Sequence, residues 1–312
     1  MKHVFIINPT AGKNDCTAEL MSMAKGLAAG HGLDVDCILT KRPGHAMETA
    51  RNLAQSGEEI RVYACGGDGT MNEAANGIAG YGNAAMTCIP VGTGNDFLKN
   101  FGDKAGLFSD AENLWDGPVL PLDAIDCNGR LALTVACSGF DAQVADGVHT
   151  YGKLPLLGGQ GSYIVSLGVN FLLRSLRHHW TVTVDGERLP QDSFVLVAVC
   201  NGRYYGGGFM PAAEARMDDG ILNTLVVRGA SRATFLRLVG DYSVGRYYKF
   251  PEIAQCYTAK EIRIESHEGP VVTCLDGEIT RSKQVALRLS EKKVQFFGPA
   301  GCDPNATFRP LP

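Results

Sequence analysis

The sequence lacks the features that mark several common classes of protein. Its 312 residues contain no signal-peptide pattern and no run of about 18 uninterrupted apolar residues, the length that a helix needs to cross a bilayer. The net charge of −4 leaves no surplus of cations to attract nucleic acid in bulk. We therefore expect a cytoplasmic protein that binds no nucleic acid and touches a membrane only locally, as a transient peripheral contact.

The ten cysteines form no CxxC pair. Most lie in apolar runs, such as Cys65 after residues 62–64 and Cys200 after residues 197–199, where a reduced thiol behaves as a small core residue. We interpret them as structural thiols and expect neither zinc nor a redox centre. Internal repeats and low-complexity stretches are absent as well.

The first third of the chain alternates strand-like and helix-like segments. Apolar runs at residues 4–7, 35–39, 60–64 and 86–90 predict strands, and the segments 18–29, 46–55 and 71–78 predict helices. Strands that alternate with helices of this length form βαβ units around a parallel sheet. We expect an open α/β domain over residues 1–121.

From about residue 122 the chain becomes rich in short β-type runs. They lie at residues 131–135, 180–184, 195–199, 222–227, 261–265, 271–275 and 285–289, with helical interruptions at 163–176 and 233–244. The pairs Asp185-Gly186 and Asp276-Gly277 are typical of hairpin turns. We expect a mainly antiparallel β-sandwich domain over residues 122–293, with the tail, 294–312, packing back on the first domain.

The sharpest local signal is Gly66-Gly67-Asp68-Gly69-Thr70, between a predicted strand and a predicted helix. Glycines let backbone N–H groups approach phosphate oxygens, and a helix N-terminus adds partial positive charge. The alternative is a plain strand-to-helix turn capped by Asp68 or Thr70. The GxGxxG and P-loop patterns are both absent, and taken alone this segment is better interpreted as a plain turn.

Two further loops share this character. Gly92-Thr93-Gly94-Asn95 follows the predicted strand 86–90, and the small polar loop 8–12 ends the first strand. Taken alone, the Asn-Pro pair that opens the loop 8–12 is only a turn initiator. Loops at the carboxyl ends of neighbouring parallel strands, however, lie where open α/β sheets bind ligands. Together the three loops favour a polyphosphate site over unrelated turns.

These segments, in this order, closely resemble the signature of the diacylglycerol kinase catalytic domain, in its bacterial soluble lipid-kinase branch. Later matches extend the resemblance over nearly the whole chain: Pro211-Ala212, Asp218-Asp219-Gly220-Ile221-Leu222 and Leu275-Asp276-Gly277-Glu278. The resemblance implies an ATP-dependent kinase that transfers the γ-phosphate to a lipid hydroxyl, most readily diacylglycerol to give phosphatidic acid. It also implies that the nucleotide is held between the α/β and β domains, with a membrane lipid as partner and a homodimer allowed.

The resemblance assigns the nucleotide contacts residue by residue. They are Asn8, Pro9, Thr10, Ala11, Gly12, Thr40, Gly66, Gly67, Asp68, Gly69, Thr70, Met71, Asn72 and Thr93. Without the resemblance, Thr40 is only a hydroxyl at the end of a strand. Ala11 stands where serine is frequent in the family and Lys99 where arginine is frequent, and these changes bear on phosphate affinity rather than on the chemistry.

The resemblance makes Asp276 the general base that takes the proton from the lipid hydroxyl. The alternative is the first residue of an ordinary Asp-Gly hairpin, a use that Asp185 illustrates in the same chain. Only the match to the family separates these two Asp-Gly pairs.

The resemblance also implies two Mg²⁺ sites, one on the nucleotide phosphates and one structural. The structural ion falls on the side chain of Asp219 and the backbone carbonyls of Arg216 and Ile221. One carboxylate and two carbonyls, completed by water, suit a hard cation. Without the resemblance a plain turn is the better interpretation of this segment.

Other functions stay open from the sequence. The Gly-Gly-Asp-Gly-Thr turn is shared with NAD kinases, although Gly94-Asn95-Asp96-Phe97 has the lipid-kinase form. A catalytically silent nucleotide-binding regulator is the alternative outside the enzymes, and retention of Asp68 and Asp276 speaks against it. For the acceptor, the candidates are the loops 152–159 and 206–210, which we expect to be mobile and partly apolar. Such loops would admit an acyl chain, or they simply cover a core.

Overall fold

The computed structural model describes residues 1–92, 94–151, 169–171 and 175–310, with the backbone alone at 148–151. The chain divides into two units. The first comprises Met1–Ala124 with Ser290–Thr307, and the second comprises Ile125–Leu289 with Phe308–Pro312. The expected assignment of nucleotide binding to a first domain, and of acceptor and metal binding to a second, stays a prediction.

The first unit alternates strands and helices along its early part. Its strands and helices, in chain order, are β1 Lys2–Ile7, α1 Thr17–His31, β2 Asp34–Leu39, α2 His45–Gln55, β3 Ile60–Gly66, α3 Asp68–Ile78, β4 Ala84–Pro90, β5 Val119–Leu122 and β18 Val294–Phe297. Two 3₁₀ segments, Phe97–Ser109 and Ala111–Asn113, lie between β4 and β5. The helix α1 buries Leu20, Ala24 and Leu27, spaced by one turn, and ends at Gly32, whose φ of 65° suits glycine.

These strands form one six-stranded sheet in the order β2-β1-β3-β4-β18-β5. Neighbours are parallel from β2 to β18, and β18 pairs antiparallel with β5. The chain's last strand therefore lies inside the sheet that its first strands begin. Phe296 of β18 packs against Phe97, Phe101 and Phe108 with ring centroids 5.0 to 5.9 Å apart, and burial of each such ring stabilises the fold by about 1.5–3 kcal/mol.

The second unit contains most of the remaining strands. In chain order its elements are β6 Ile125–Cys127, β7 Arg130–Ala132, β8 Val135–Gly139, α4 Phe140–Tyr151, β9 His178–Val184, β10 Glu187–Arg188, β11 Ser193–Cys200, β12 Leu222–Arg228, α5 Arg232–Tyr242, a 3₁₀ turn Tyr247–Lys249, β13 Ala254–Ala259, β14 Glu261–Ser266, β15 Val271–Leu275, β16 Glu278–Ser282 and β17 Gln284–Leu289.

The pairings among these strands are antiparallel in a curled sheet, in which the long, almost fully buried strand β11 pairs with β8, β9 and β12. One core cluster packs α4 and α5 against one face, with Phe140 and Phe235 at its centre. A second cluster, around Trp180, Phe194 and Leu287, fills the interior of the curl. The expected fold class, a parallel α/β domain followed by a mainly antiparallel β-sandwich, is confirmed.

Two local expectations are wrong. The run 131–135 is not one strand, because β7 ends at Ala132 and β8 begins at Val135, and the bend between them turns its N–H groups to a side chain described below. The helix expected to begin at Met71 begins at Asp68, so the last part of the glycine turn forms its first helical turn. Most of the helical interruption expected at 163–176 lies outside the described residues.

Candidate active site

Three loops meet at one edge of the parallel sheet. In the register of the sheet Ile7 lies beside Cys65, and Gly66 lies beside Pro90, so β1, β3 and β4 end close together. The loops 8–12, 66–70 and 91–95 begin at these strand ends. Parallel pairing of the strands predicts this convergence, and the structure shows it.

Direct hydrogen bonds join the loops to one another. The Asn8 side-chain amide donates to the Thr70 hydroxyl at 3.0 Å, which ties the end of β1 to the first turn of α3. The Val91 N–H donates to the Gly66 carbonyl at 2.9 Å, which ties the end of β4 to the end of β3. Within the first loop, the Asn8 carboxamide oxygen accepts from the N–H and the hydroxyl of Thr10 at 3.1 and 2.9 Å. The three loops thus form one hydrogen-bonded surface.

The loops also approach so closely that side chains would not fit between them. A Cβ atom on Gly92 would lie 2.9 Å from the Gly67 Cα, and one on Gly12 would lie 2.6 Å from the Val91 carbonyl oxygen. A Cβ atom on Gly66 would lie 2.4 Å from the Thr70 hydroxyl oxygen. Glycine is required at Gly12 and Gly92 by packing of loop against loop, and at Gly66 by packing within its own loop, independently of any ligand.

The helix α3 begins at this point with Gly67 as its N-cap residue and has no side-chain cap hydrogen bond. Glycine has no side-chain oxygen to offer the first N–H groups of the helix, and the helix dipole adds partial positive charge there. A bound phosphate oxygen could accept from such groups. In contrast to Gly66 and Gly92, a Cβ atom on Gly67 would meet only the Gly92 Cα at 3.7 Å, an ordinary contact distance. Packing therefore does not require glycine at position 67.

A small pocket opens beside this helix terminus. It is lined by Gly66, Gly67, Asp68, Met71, Cys88, Pro90, Asn95, Phe97 and Leu98. Burial raises the pKa of the Cys88 thiol, and the Asp68 carboxylate adds to the effect. The thiol is therefore a neutral wall of the pocket rather than an anion.

Some predicted contacts lie at a distance from the pocket or in another setting. The Thr40 N–H donates to the Ile7 carbonyl at 2.8 Å. Thr40 therefore extends the hydrogen bonding between β1 and β2 by one residue and lies beside the loop that begins at Asn8. Asn72 is 1% exposed, and its side chain accepts from the Asn76 amide at 3.1 Å within α3. Thr93 lies outside the described residues.

Three residues outside the predicted nucleotide contacts also shape this region. Asn95 has a φ of 48°, and its amide donates to the Gly92 carbonyl at 2.7 Å, which shapes the third loop. Lys99 pairs with Asp96 at 2.5 Å in the segment that follows. The Asn95-Asp96 pair directly after the glycines was the available signal, since both residue types favour turns.

In the second unit, the Asp276 carboxylate is held by backbone N–H groups. Its Oδ1 accepts from Thr134 and Val135 at 3.1 and 3.0 Å, and its Oδ2 accepts from Leu133 at 2.5 Å. These donors come from the bend between β7 and β8, which explains why the run 131–135 breaks there. Asp276 is half-buried at the tip of the β15–β16 hairpin.

The predicted metal loop precedes β12. Asp219 is exposed, and its Oδ1 accepts from the Ile221 N–H at 3.2 Å. Arg203, fully buried, donates to the Ala215 carbonyl at 2.5 Å and so holds the chain next to Arg216. Among the described residues no group of three His, Cys, Asp or Glu side chains could hold a metal ion. A cation here would rest on one carboxylate, backbone carbonyls and water, which fits a hard ion such as Mg²⁺ and does not fit zinc.

A buried polar network that the sequence did not reveal lies under the glycine loop 206–208. The Tyr205 and Tyr242 hydroxyl groups both donate to the Asp141 carboxylate, Tyr242 at 2.8 Å. Burial raises the pKa of Asp141, and the two hydroxyl donors act in the opposite direction. The network ties Tyr205 to the first turn of α4 and the last turn of α5. The other acceptor candidate, the loop 152–159, lies outside the described residues.

Comparisons with known proteins identify the family. The model of the diacylglycerol kinase catalytic domain matches residues 2–127, and that of the YegS C-terminal NAD kinase beta sandwich-like domain matches residues 134–297, over half of the chain. A YegS-like protein of Pseudomonas aeruginosa, described as a probable lipid kinase, is 31% identical over 282 residues, 86% of either chain. The chain belongs to the diacylglycerol kinase-like family of lipid kinases.

Two further relatives of this lipid kinase agree. A diacylglycerol kinase of Bacillus subtilis is 28% identical, over 89% of this chain and 90% of its own. A crystal structure of a candidate diacylglycerol kinase from Bacillus anthracis superposes with a TM-score of 0.74 at 26% identity, covering 95% of this chain and 96% of the other. The resemblance given by the motifs is confirmed, and so is the class of enzyme. Membership in a kinase family implies the use of ATP and, typically, of a divalent metal.

No helix among the described residues is long and apolar enough to span a membrane.

Proposed function

We propose that this lipid kinase transfers the γ-phosphate of ATP to a hydroxyl group of a membrane lipid, with diacylglycerol as the first candidate and phosphatidic acid as its product. The observation that carries the proposal is the meeting of three glycine loops at the N-terminus of α3, where no side chain caps the helix. Together with the family, this arrangement supports a phosphate-binding function for the first unit. The lipid acceptor requires the enzyme to act as a peripheral protein at a membrane surface.

Phosphoryl transfer requires alignment and charge stabilisation more than covalent help from the protein. The backbone N–H groups of the loop 66–70 would hold phosphate oxygens, and Asp68 in the first turn of α3 would hold the metal ion that accompanies them. When bound, ATP supplies the transferred phosphoryl group and Mg²⁺ offsets the charge of its phosphates. The Asn8–Thr70 hydrogen bond keeps the loops in register during this step.

We propose Asp276 as the general base. A base must be held in a fixed position to accept a proton from the attacking hydroxyl. Three backbone N–H donors, from Leu133, Thr134 and Val135, give the Asp276 carboxylate that fixed position. A carboxylate without these hydrogen bonds would move between rotamers and would be a poorer base.

We propose that a second, structural Mg²⁺ binds the Asp219 carboxylate with the Arg216 and Ile221 carbonyls. We expect Mg²⁺ to raise the melting temperature of the wild type, since a ligand that binds only the folded state stabilises it. In Asp219→Ala this rise should disappear, and in Asp218→Ala, a neighbouring exposed carboxylate that pairs with Arg216 at 3.4 Å, it should persist. An equal rise in both variants contradicts the assignment.

The nucleotide site is tested by a side chain at Gly67. Because packing leaves room at Gly67, Gly67→Val should fold and weaken ATP binding more than about tenfold, since its methyl groups occupy the space of phosphate oxygens. Gly82→Val is the matched control, at a turn where a Cβ meets no atom within 4 Å. Isothermal calorimetry measures the ATP affinity of both variants. Unchanged ATP affinity in a folded Gly67→Val protein places the phosphates elsewhere.

The acceptor is tested with a panel. Purified protein, ATP and Mg²⁺ are offered vesicles that contain diacylglycerol, a sphingoid base, a ceramide or a polyprenol, and NAD in solution, and the products are read by mass spectrometry. We expect phosphorylated diacylglycerol. Phosphorylation of NAD alone would establish the NAD kinase alternative, and ATP binding with no product on any acceptor would establish the silent regulator.

A further inference from the structure

The helix α5 presents apolar side chains to solvent. Leu236 is 58% exposed, although its neighbours Phe235 and Leu238 are buried in the core beneath the helix. The Val244 N–H donates to the Asp241 carbonyl at 3.3 Å, so helical winding continues past the end of α5. Positions 236, 240 and 244 therefore lie along one side of the helix. Val244 is 41% exposed and Tyr248, in the next turn, is 39% exposed.

Cations surround these apolar residues. Between residues 231 and 250 the charged side chains are Arg232, Arg237, Arg246 and Lys249 against the single carboxylate of Asp241. Asp241 pairs with Arg246 at 2.7 Å and with Lys249 at 3.0 Å, which holds the turn 246–249 against the last turn of α5. The hydrogen bond from Lys249 lowers the pKa of Asp241, so these pairs persist at neutral pH. Helix and turn form one surface.

The α5 surface, defined by Leu236, Arg237, Val244, Arg246, Tyr248 and Lys249, contrasts with the rest of the chain. The whole protein carries a net charge of −4, whereas the segment 231–250 carries four cations and one anion. An exposed apolar stripe with arginines and lysine beside it matches the requirements of an interfacial helix. Cations near an anionic bilayer are attracted to its phosphates, and apolar side chains enter the region of the headgroups.

We propose that the α5 surface is the docking site of this enzyme on an anionic lipid bilayer. The proposal rests on the proposed function, because a kinase that acts on a membrane lipid must reach a bilayer and the described residues contain no helix to span one. Charge complementarity selects the bilayer over a second copy of the chain, since two copies joined through this surface would oppose like charges. Leu236 and Val244 enter the headgroup region, while Arg237, Arg246 and Lys249 contact lipid phosphates.

Vesicle co-sedimentation without ATP tests the proposal. Vesicles of phosphatidylcholine alone are compared with vesicles that contain about 30% phosphatidylglycerol, a fraction that gives a strongly negative surface. The test variants are Leu236→Ser and Arg237→Glu. The matched controls are Leu107→Ser, which replaces a leucine 40% exposed in the first unit, and Arg188→Glu, which reverses an exposed arginine in β10. Melting temperatures confirm that all four variants fold.

We expect the wild type to prefer the anionic vesicles and to lose binding as salt rises. Leu236→Ser and Arg237→Glu should each weaken binding about tenfold, since one removes an inserted leucine and the other reverses a contacting charge, and the controls should bind as the wild type. Equal binding by test and control variants overturns the proposal. So does loss of a dimer in Leu236→Ser, by light scattering, with vesicle binding unchanged, because the surface is then a subunit interface.

Activity separates this proposal from the proposed function. Both test variants should phosphorylate a short-chain acceptor dissolved below its micelle threshold at the rate of the wild type, and should lose rate only on vesicles. If the wild type phosphorylates no lipid yet binds anionic vesicles through Leu236 and Arg237, the docking site stands and the proposed function fails. If the wild type phosphorylates vesicle lipid and the test variants match it in rate and binding, the function stands and the docking site fails.

Discussion

The chain contains two Asp-Gly hairpin turns that are almost identical as backbone and differ in what their carboxylates hold. Asp276 and Asp185 have φ values of 46° and 47°, and the glycines that follow have 99° and 87°. Asp276 connects β15 to β16, and Asp185 connects β9 to β10. Turn geometry alone therefore gives no reason to choose either residue as a base.

The partners of the two carboxylates separate them. Asp185 is exposed and uses one oxygen, Oδ1, to accept from the Lys260 and Glu261 N–H groups at 2.9 and 2.8 Å. Asp276 is half-buried and uses both oxygens to accept from the bend that begins at Leu133. The Asp185 carboxylate closes a surface turn, whereas both oxygens of the Asp276 carboxylate are held by hydrogen bonds. The surroundings of a two-residue motif are thus set by the segment that packs on it.

The largest expected effect is the contrast between Asp276→Asn and Asp185→Asn. We expect Asp276→Asn to lower kcat by about 10²- to 10⁴-fold, the usual contribution of a general base, with ATP affinity nearly unchanged. Asp185→Asn should stay within about twofold of the wild type, because its amide oxygen can still accept both N–H groups. The readouts are kcat on vesicle lipid and calorimetry with ATP.

A purely structural function of Asp276 predicts another pattern. In Asp276→Asn the amide nitrogen must face a backbone N–H, because both oxygens accept in the wild type, and this costs about 1–3 kcal/mol of unfolding free energy. If the lost activity equals the unfolded fraction at the assay temperature, Asp276 supports the fold and another group is the base.

A smaller effect is expected when the charge is kept and moved. Asp276→Glu retains a carboxylate but displaces it by one methylene from the three N–H donors, and we expect kcat to fall about 10²-fold, the scale of an ångström-sized misplacement. Asp185→Glu should leave kcat unchanged. A fully active Asp276→Glu enzyme would show that the N–H groups from the bend do not position the base.

The smallest difference is expected at the glycines. Gly277→Ala and Gly186→Ala place a Cβ at positive φ in open space, so both should lose about 1–2 kcal/mol of unfolding free energy from backbone strain alone. Urea unfolding of the two variants measures the loss. The comparison predicts equal losses, and a much larger loss at Gly277 would show that the two turns are not equivalent as backbone.

How far the sequence predicts this molecule depends on the range of the interactions. The strands β1 to β4 and the three glycine loops follow from local periodicity and from parallel pairing, and they were predicted. The break at Leu133 was not, because its cause is a carboxylate 143 positions away. The helix α4 was also missed, since it begins directly at the end of β8, and its sequence, which includes Gly147, has no strong helical pattern.

The same limit applies to the sites. Glycine motifs located the three loops, but the insertion of β18 between β4 and β5 brings a late segment of the chain into that sheet by tertiary pairing. The Asp141–Tyr205–Tyr242 network joins residues 64 and 101 positions apart and has no local signature. The sequence predicts an ordinary helix for the α5 surface, and it does not reveal that Leu236 and Val244 are exposed. The nucleotide, base and metal assignments themselves came from the family resemblance and stay predictions.

The central claim is that the terminal phosphate of ATP moves to a lipid hydroxyl. It is tested most directly by incubating the enzyme and Mg²⁺ with diacylglycerol vesicles and ATP labelled with ³²P at either the γ or the α position, and then counting the extracted lipid. We predict label in the lipid from γ-labelled ATP, none from α-labelled ATP, and none from either with Asp276→Asn. Label from γ-labelled ATP that stays in the aqueous phase, as inorganic phosphate or as a phosphorylated soluble acceptor, would contradict the account.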